Sequence, residues 1–210
     1  MGYIVAKPAW MRKFYGPATW ELPAAGNTVY LTFDDGPHPE LTPFVLDVLK
    51  QHGAKGTFFC LGRQAQKHPE LVERIRREGH SVGNHTWNHP DGWRTPNKAY
   101  YADVAAAGTV LHTRLFRPPH GHITPFQVRR LRKEQGLQVV MWNILSGDFD
   151  AQTSPQQCLS NVAENLRPGS IVVFHDNDAA GPNLKYALPR LLEDFSTKGY
   201  LFEAIPEHNL

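Results

Sequence analysis

Two adjacent acids and two histidines four residues apart carry the strongest chemical signal in this chain. Asp34 and Asp35 stand where an apolar run, residues 29–33, meets Gly36-Pro37. His85 and His89 stand at a later strand end, in the string His85-Thr86-Trp87-Asn88-His89. One carboxylate and two imidazoles form the three-ligand set of an open catalytic metal site, with a fourth position left for water. The second carboxylate is then free to act as a base on that water. These residue types imply a metal-dependent hydrolase.

The two acids are expected to divide the work. Successive strand residues point to opposite faces, so neighbouring acids do not naturally flank one bond. A glycosidase pair sits about 5–10 Å apart across a sugar linkage, which disfavours that reading. Split roles place Asp35 on the metal and Asp34 against the water. An ordinary acidic Asp-Gly turn is the plainer alternative, and the histidines argue against it. Their spacing puts both imidazoles on one face of a helical turn. The zincin signature shares that spacing but carries a Glu directly after its first His. Here that position is Thr86, so the base must come from elsewhere, and Asp34 supplies it. An isolated His-x-x-x-His is a weak signal in a chain with 11 histidines.

Three further residues follow strand ends. Arg117 precedes Pro118-Pro119-His120-Gly121, a stiff turn, and a buried Arg there can fix Asp34 by a bidentate contact. An ordinary structural salt bridge would use the same residues. His175 ends the apolar run 171–174 and is a candidate general acid, because amide cleavage needs a proton for the leaving amine. Asp148 would orient it and raise its pKa.

These positions need a scaffold that gathers strand ends. Strands are expected at 28–33, 56–61, 81–84, 115–117, 138–143, 170–174 and 200–205. Helices are expected at 40–51, 69–78, 97–112, 124–135, 155–166 and 184–198. Gly53, Gly79, Gly136 and Gly199 fall where helices should stop, and Ser154-Pro155 reads as an N-cap followed by Pro. Leu188, Leu191, Leu192 and Phe195 show clear helical periodicity. Alternation of this kind implies a parallel α/β architecture, either an open doubly wound sheet or a barrel. A full eight-fold barrel typically takes about 250 residues. At 210 residues, a distorted or incomplete (β/α) barrel with about seven parallel strands fits better. Its active site would lie at the C-terminal strand ends. Residues 1–27 read as an N-terminal extension packing Trp10, Phe14, Tyr15 and Trp20 on the outside of a 28–210 domain.

Composition narrows the partners. The chain is 41% hydrophobic and 20% charged, an ordinary globular balance. A formal net charge of +2 gives no reason to expect nucleic acid or an anionic membrane. No apolar run approaches the roughly 20 residues that span a bilayer. Lys7, Pro8, Arg12, Lys13 and Pro17 interrupt the start, which lacks the core of a signal peptide. The expectation is a cytoplasmic protein if Met1 is the native start, and a secreted one if a leader has been removed. Cys60 and Cys158 read as buried free thiols.

With these residues in view, the chain resembles the polysaccharide deacetylases of the NodB-homology type, carbohydrate esterase family four. Thr32-Phe33-Asp34-Asp35-Gly36-Pro37 and His85-Thr86-x-x-His89 carry the resemblance, which runs from about residue 28 to 205. It implies that Asp35, His85 and His89 bind a divalent metal and that Asp34 is the general base. It implies that Arg117 tethers the base, and that His175 is the general acid with Asp148 as partner. The backbone N–H of His120 is implied to help hold the oxyanion, and Phe149 and Val173 to wall the acetyl-methyl pocket. Three departures stand out: His120 replaces the usual aromatic, Phe149 the usual Trp, and Val173 the usual Leu. The implied reaction is hydrolysis of an acetamide on an N-acetylated carbohydrate, releasing acetate. Zinc suits two imidazoles and a carboxylate, with cobalt, nickel or manganese compatible. O-acetyl esters or a small cyclic amide would suit the same machinery. A non-catalytic carbohydrate-binding protein is a third reading, against which the intact residue set argues. Glycan choice is expected to lie in loops such as 90–96 and 176–183.

Overall fold

β1 (Thr28–Asp34) is buried along its whole length and takes a parallel partner on each side. The structure, a computed structural model, describes residues 4–7, 15–23 and 26–207. The other strands are β2 (Gly56–Cys60), β3 (Ser81–Asn84), β4 (Leu115–Phe116), β5 (Gln138–Val139), β6 (Ile144–Leu145), β7 (Ile171–His175) and β8 (Leu201–Phe202). Helices α1 (Leu41–Gln51), α2 (Gly62–Lys67), α3 (Pro69–Arg77), α4 (Asn97–Leu111), α5 (Pro125–Gln135), α6 (Pro155–Ala163) and α7 (Gly181–Thr197) connect them. Strand order is β5-β4-β3-β2-β1-β7-β6, all parallel, with β8 beside the first residues of β1. This is the expected incomplete barrel.

The strand expected at 138–143 is broken, and the break explains the shape. It keeps only β5, and β6 begins just past its expected end; the two lie on opposite edges of the sheet, and residues 140–143 cross between them. Counted as one interrupted strand they leave seven parallel strands curled into a half-barrel. The N-terminal segment occupies the seam. Met141 donates its N–H to the Thr19 carbonyl at 2.7 Å, and Lys7 donates to Asn143 at 3.0 Å. Trp20 is therefore not an outside aromatic. It is 4% exposed and packs in a core cluster with Val139, Val140 and Trp142. Tyr15 meets it edge-on, while Trp10 and Phe14 lie outside the described residues.

Alternation along β1 and β7 creates two faces. Val29, Leu31, Phe33, Val172 and Phe174 pack against apolar residues of α1 and α7, with Phe33 stacked on Phe58 at 5.0 Å. Burying each such side chain is worth about 1.5–3 kcal/mol. Tyr30, Phe59, Ile171 and Val173 belong to the other cluster, inside the curl. Thr32, Asp34 and His175 continue that inner face to the strand ends.

Local signals account for most boundaries. Ser154 accepts from Gln157 N–H as the N-cap of α6, and Thr124 with Gln127 forms a capping box on α5. Gly136 ends α5 in the left-handed region, where a side chain would be strained. Helix α2 was not expected; its six residues show no apolar periodicity. Helix α7 starts earlier than expected and continues through Pro189. The C-terminal strand shrinks to the two residues of β8. Both cysteines are free and buried, as expected. Among the described residues no helix is long and apolar enough to cross a membrane.

Candidate active site

Asp34 and His175 are register partners at the ends of β1 and β7, which puts a carboxylate and an imidazole side by side on the inner face. Asp34 is 3% exposed. Its Oδ1 accepts from Arg117 Nη1 at 2.8 Å. The contact is single, not the expected bidentate one. Nη1 is shared with Thr32 Oγ1 at 2.6 Å, while Nε and Nη2 donate to the Val140 and Met141 carbonyls at 3.2 and 3.1 Å. The broken strand thus claims one side of the guanidinium, and Asp34 keeps Oδ2 for the cleft. Arg117 is fully buried with Phe59 beneath it at 4.1 Å.

Asp35 escapes the alternation that should send it to the outer face. Its φ of 82° breaks the strand and turns the carboxylate back. Asp176, which was not anticipated from the sequence, fixes that turn. It accepts from Gly36 N–H at 3.0 Å and from the Thr42 hydroxyl. Burial pushes Asp176 up to about 7, against the lowering effect of Thr42. Asn177 follows and donates to Asp35 Oδ2 at 2.8 Å.

Residues 85–89 form no helical turn, contrary to the spacing argument. Thr86 and His89 have φ of 71° and 65°. Asp103 of α4 clasps the loop by accepting from the Trp87 and Asn88 N–H groups at 2.7 and 3.0 Å. Asn84 Oδ1 accepts from Thr86 N–H at 2.8 Å. The histidines still converge: their ligand atoms and one oxygen of Asp35 lie within 4.8 Å of one another.

These three residues fit a metal ion. Asp35 Oδ1 is buried and accepts no hydrogen bond among the described residues. It lies 3.6 Å from His85 Nε2 and 3.3 Å from His89 Nε2. Such an orphaned acceptor facing two imidazole nitrogens suits a cation. His85 Nδ1 sits 2.8 Å from the Arg117 carbonyl. A carbonyl only accepts, so Nδ1 carries the proton and Nε2 the free lone pair. Burial, with His85 beside it, lowers His89 to about 4, which keeps it neutral and able to ligate.

His175 is bound to Asp148 twice, N–H to Oδ2 at 2.7 Å and Nδ1 to Oδ1 at 2.8 Å. Burial works to lower its pKa, but the Asp148 charge and hydrogen bond outweigh it and push His175 up to about 9. Asp148 is itself fully buried.

Asp34, Asp35, His85, His89, His175 and Asn177 line one cleft of about 700 Å³. His120, in a 3-10 turn (Pro119–Gly121) with φ of 59°, meets His89 edge-on at 4.5 Å. Phe149 and Val173 line the cleft with Leu145, and Phe149 packs edge-on to His175 at 5.2 Å. Ile4 and Lys7 line it too and were missed, and Trp93 reaches it from the 90–96 loop expected to govern glycan choice. Nothing in the periodicity of residues 1–27 signals that two of them reach the cleft.

Residues 22–140 match the family described as Polysaccharide deacetylase. A peptidoglycan-N-acetylglucosamine deacetylase of Bacillus cereus is 35% identical over 198 residues, 91% of this chain and 92% of the relative. A chitooligosaccharide deacetylase of Azorhizobium caulinodans is 30% identical over 202 residues, 86% of this chain and 93% of the relative. A crystal structure of a peptidoglycan N-acetylglucosamine deacetylase superposes with TM-score 0.85 at 34% identity, covering 94% of each chain.

Proposed function

The chain belongs to the polysaccharide deacetylase family and is an N-deacetylase of amino sugars; we propose that Asp34, His175 and the Asp35-His85-His89 cluster carry its reaction. The substrate is an N-acetylglucosamine unit of an oligosaccharide or polysaccharide. Water and the acetamide become acetate and a free amino group.

The observation that carries this reading is the convergence in one cleft of two oppositely prepared groups. Asp34 accepts a hydrogen bond from the buried Arg117 guanidinium, and His175 is held protonated by Asp148. A base and an acid with such different partners suit the two proton transfers of amide hydrolysis. Asp34 takes a proton from the attacking water as its oxygen adds to the acetamide carbon. His175 gives its proton to the nitrogen as the C–N bond breaks. The backbone N–H of His120 donates to the oxyanion, which explains why its side chain is free to differ. Phe149 and Val173 receive the acetyl methyl group.

Asp35, His85 and His89 would hold a divalent ion, with zinc the best match to two imidazoles and one carboxylate. Bound there, it supplies Lewis-acid activation of water and carbonyl. Arg117 ties the two halves together. Its carbonyl sets the His85 tautomer, and its guanidinium holds the base.

The test is mass spectrometry of N-acetylglucosamine oligomers after incubation with metal-loaded protein. Loss of acetyl groups with matching release of acetate is expected. Acetate release confined to O-acetyl esters would replace the amide reading with an esterase.

A further inference from the structure

Trp93 is 55% exposed, yet its loop is tightly held. Its ring stacks on His122 with centroids 3.8 Å apart and planes 9° from parallel. One carboxylate organises both partners. Asp91 Oδ1 accepts from the Trp93 N–H at 2.9 Å, and Oδ2 lies 3.0 Å from His122 Nδ1. The Thr95 N–H returns to the Asp91 carbonyl at 2.9 Å. Gly92 passes so close to His122 that an added Cβ would lie 2.2 Å from its carbonyl oxygen. Gln127 then donates to the Gly92 carbonyl at 2.8 Å.

A large aromatic ring held this firmly with one face open to solvent is pre-organised for a ligand. His122 covers one indole face, so the exposed area lies on the other. The ring also lines the reaction cleft. A row of rings links it to the metal cluster: His89 to His120 at 4.5 Å, His120 to His122 at 5.6 Å, then the stack itself. An indole face set off from the reacting groups in this way suits the apolar C–H face of a pyranose.

We propose that the Trp93–His122 stack is a sugar-binding platform for a unit next to the one that loses its acetyl group. It rests on the deacetylase reading above and deepens it by naming the side chain that holds the neighbouring unit. Asp91 and His122 are positioning residues for the indole.

The experiment uses metal-loaded full-length protein, a β-1,4-linked N-acetylglucosamine tetramer and an aryl acetate. In the Asp34→Asn background, calorimetric titration with the tetramer reads affinity with turnover slowed. Adding Trp93→Ala should weaken binding roughly ten-fold, the scale of one lost aromatic contact. Trp93→Phe should recover most of it. In the active enzyme, Trp93→Ala should lower kcat/KM on the tetramer far more than on the aryl acetate. Unchanged tetramer affinity, absence of saturable binding, or equal losses on both substrates would overturn the platform. If wild-type protein releases no acetate while the affinity difference stands, the proposed reaction falls and the platform survives.

Discussion

Asp148 grips His175 from two directions, one carboxylate oxygen on the backbone N–H and the other on the ring. The strand end and the imidazole orientation are therefore set by the same side chain. The charge of Asp148 also opposes the burial that would otherwise empty His175 of its proton.

The sign of the pH effect follows. A general acid works while protonated, so kcat/KM should fall as pH rises through the His175 pKa of about 9. Asp148→Asn removes the charge that raises that value and leaves burial, which lowers it. The alkaline limb should move to lower pH, with metal content unchanged. A limb that stays in place would assign it to another group.

Arg117 and Asp34 form a buried pair, and breaking it should be costly. Arg117→Met strands the Asp34 charge in the interior, with an expected loss of about 3–5 kcal/mol in urea unfolding. Adding Asp34→Asn removes the stranded charge and should recover part of that loss. A double variant less stable than Arg117→Met would mean that Asp34 is not paired as the geometry indicates.

The metal cluster predicts a separate phenotype. Asp35→Ala and His85→Ala should each lose bound metal and acetate release together while remaining folded by circular dichroism. Full metal occupancy in either variant, measured by atomic emission, would remove these residues from the ligand set.

The gathering of chemistry at strand ends was legible because parallel βα units bring those ends to one face. Asp34, Asp35, His85, His89, His120, Phe149, Val173 and His175 reach the cleft with Arg117 and Asp148 behind them. What was not legible depends on contacts distant in sequence. The 85–89 loop is shaped by Asp103, on the following helix, so spacing alone suggested a helical turn that does not form. The broken strand between β5 and β6 exists because the N-terminal segment fills the seam, a pairing that no local pattern reveals. Arg117 is single-armed toward Asp34 because that break leaves carbonyls at Val140 and Met141 for its other nitrogens. Asp176 and Asn177 sat beside His175 in the sequence. Their place at a strand end was a usable signal, but their roles depend on the turn at Asp35.

The most direct test compares wild-type and Asp34→Asn protein at equal, full metal occupancy, with acetate and new amino groups counted together on an N-acetylglucosamine oligomer. Wild-type protein should release the two one for one. Asp34→Asn should be slower by about 10²–10⁴-fold, the usual cost of losing a general base. Near-wild-type turnover by Asp34→Asn, or acetate without new amine, would contradict the account.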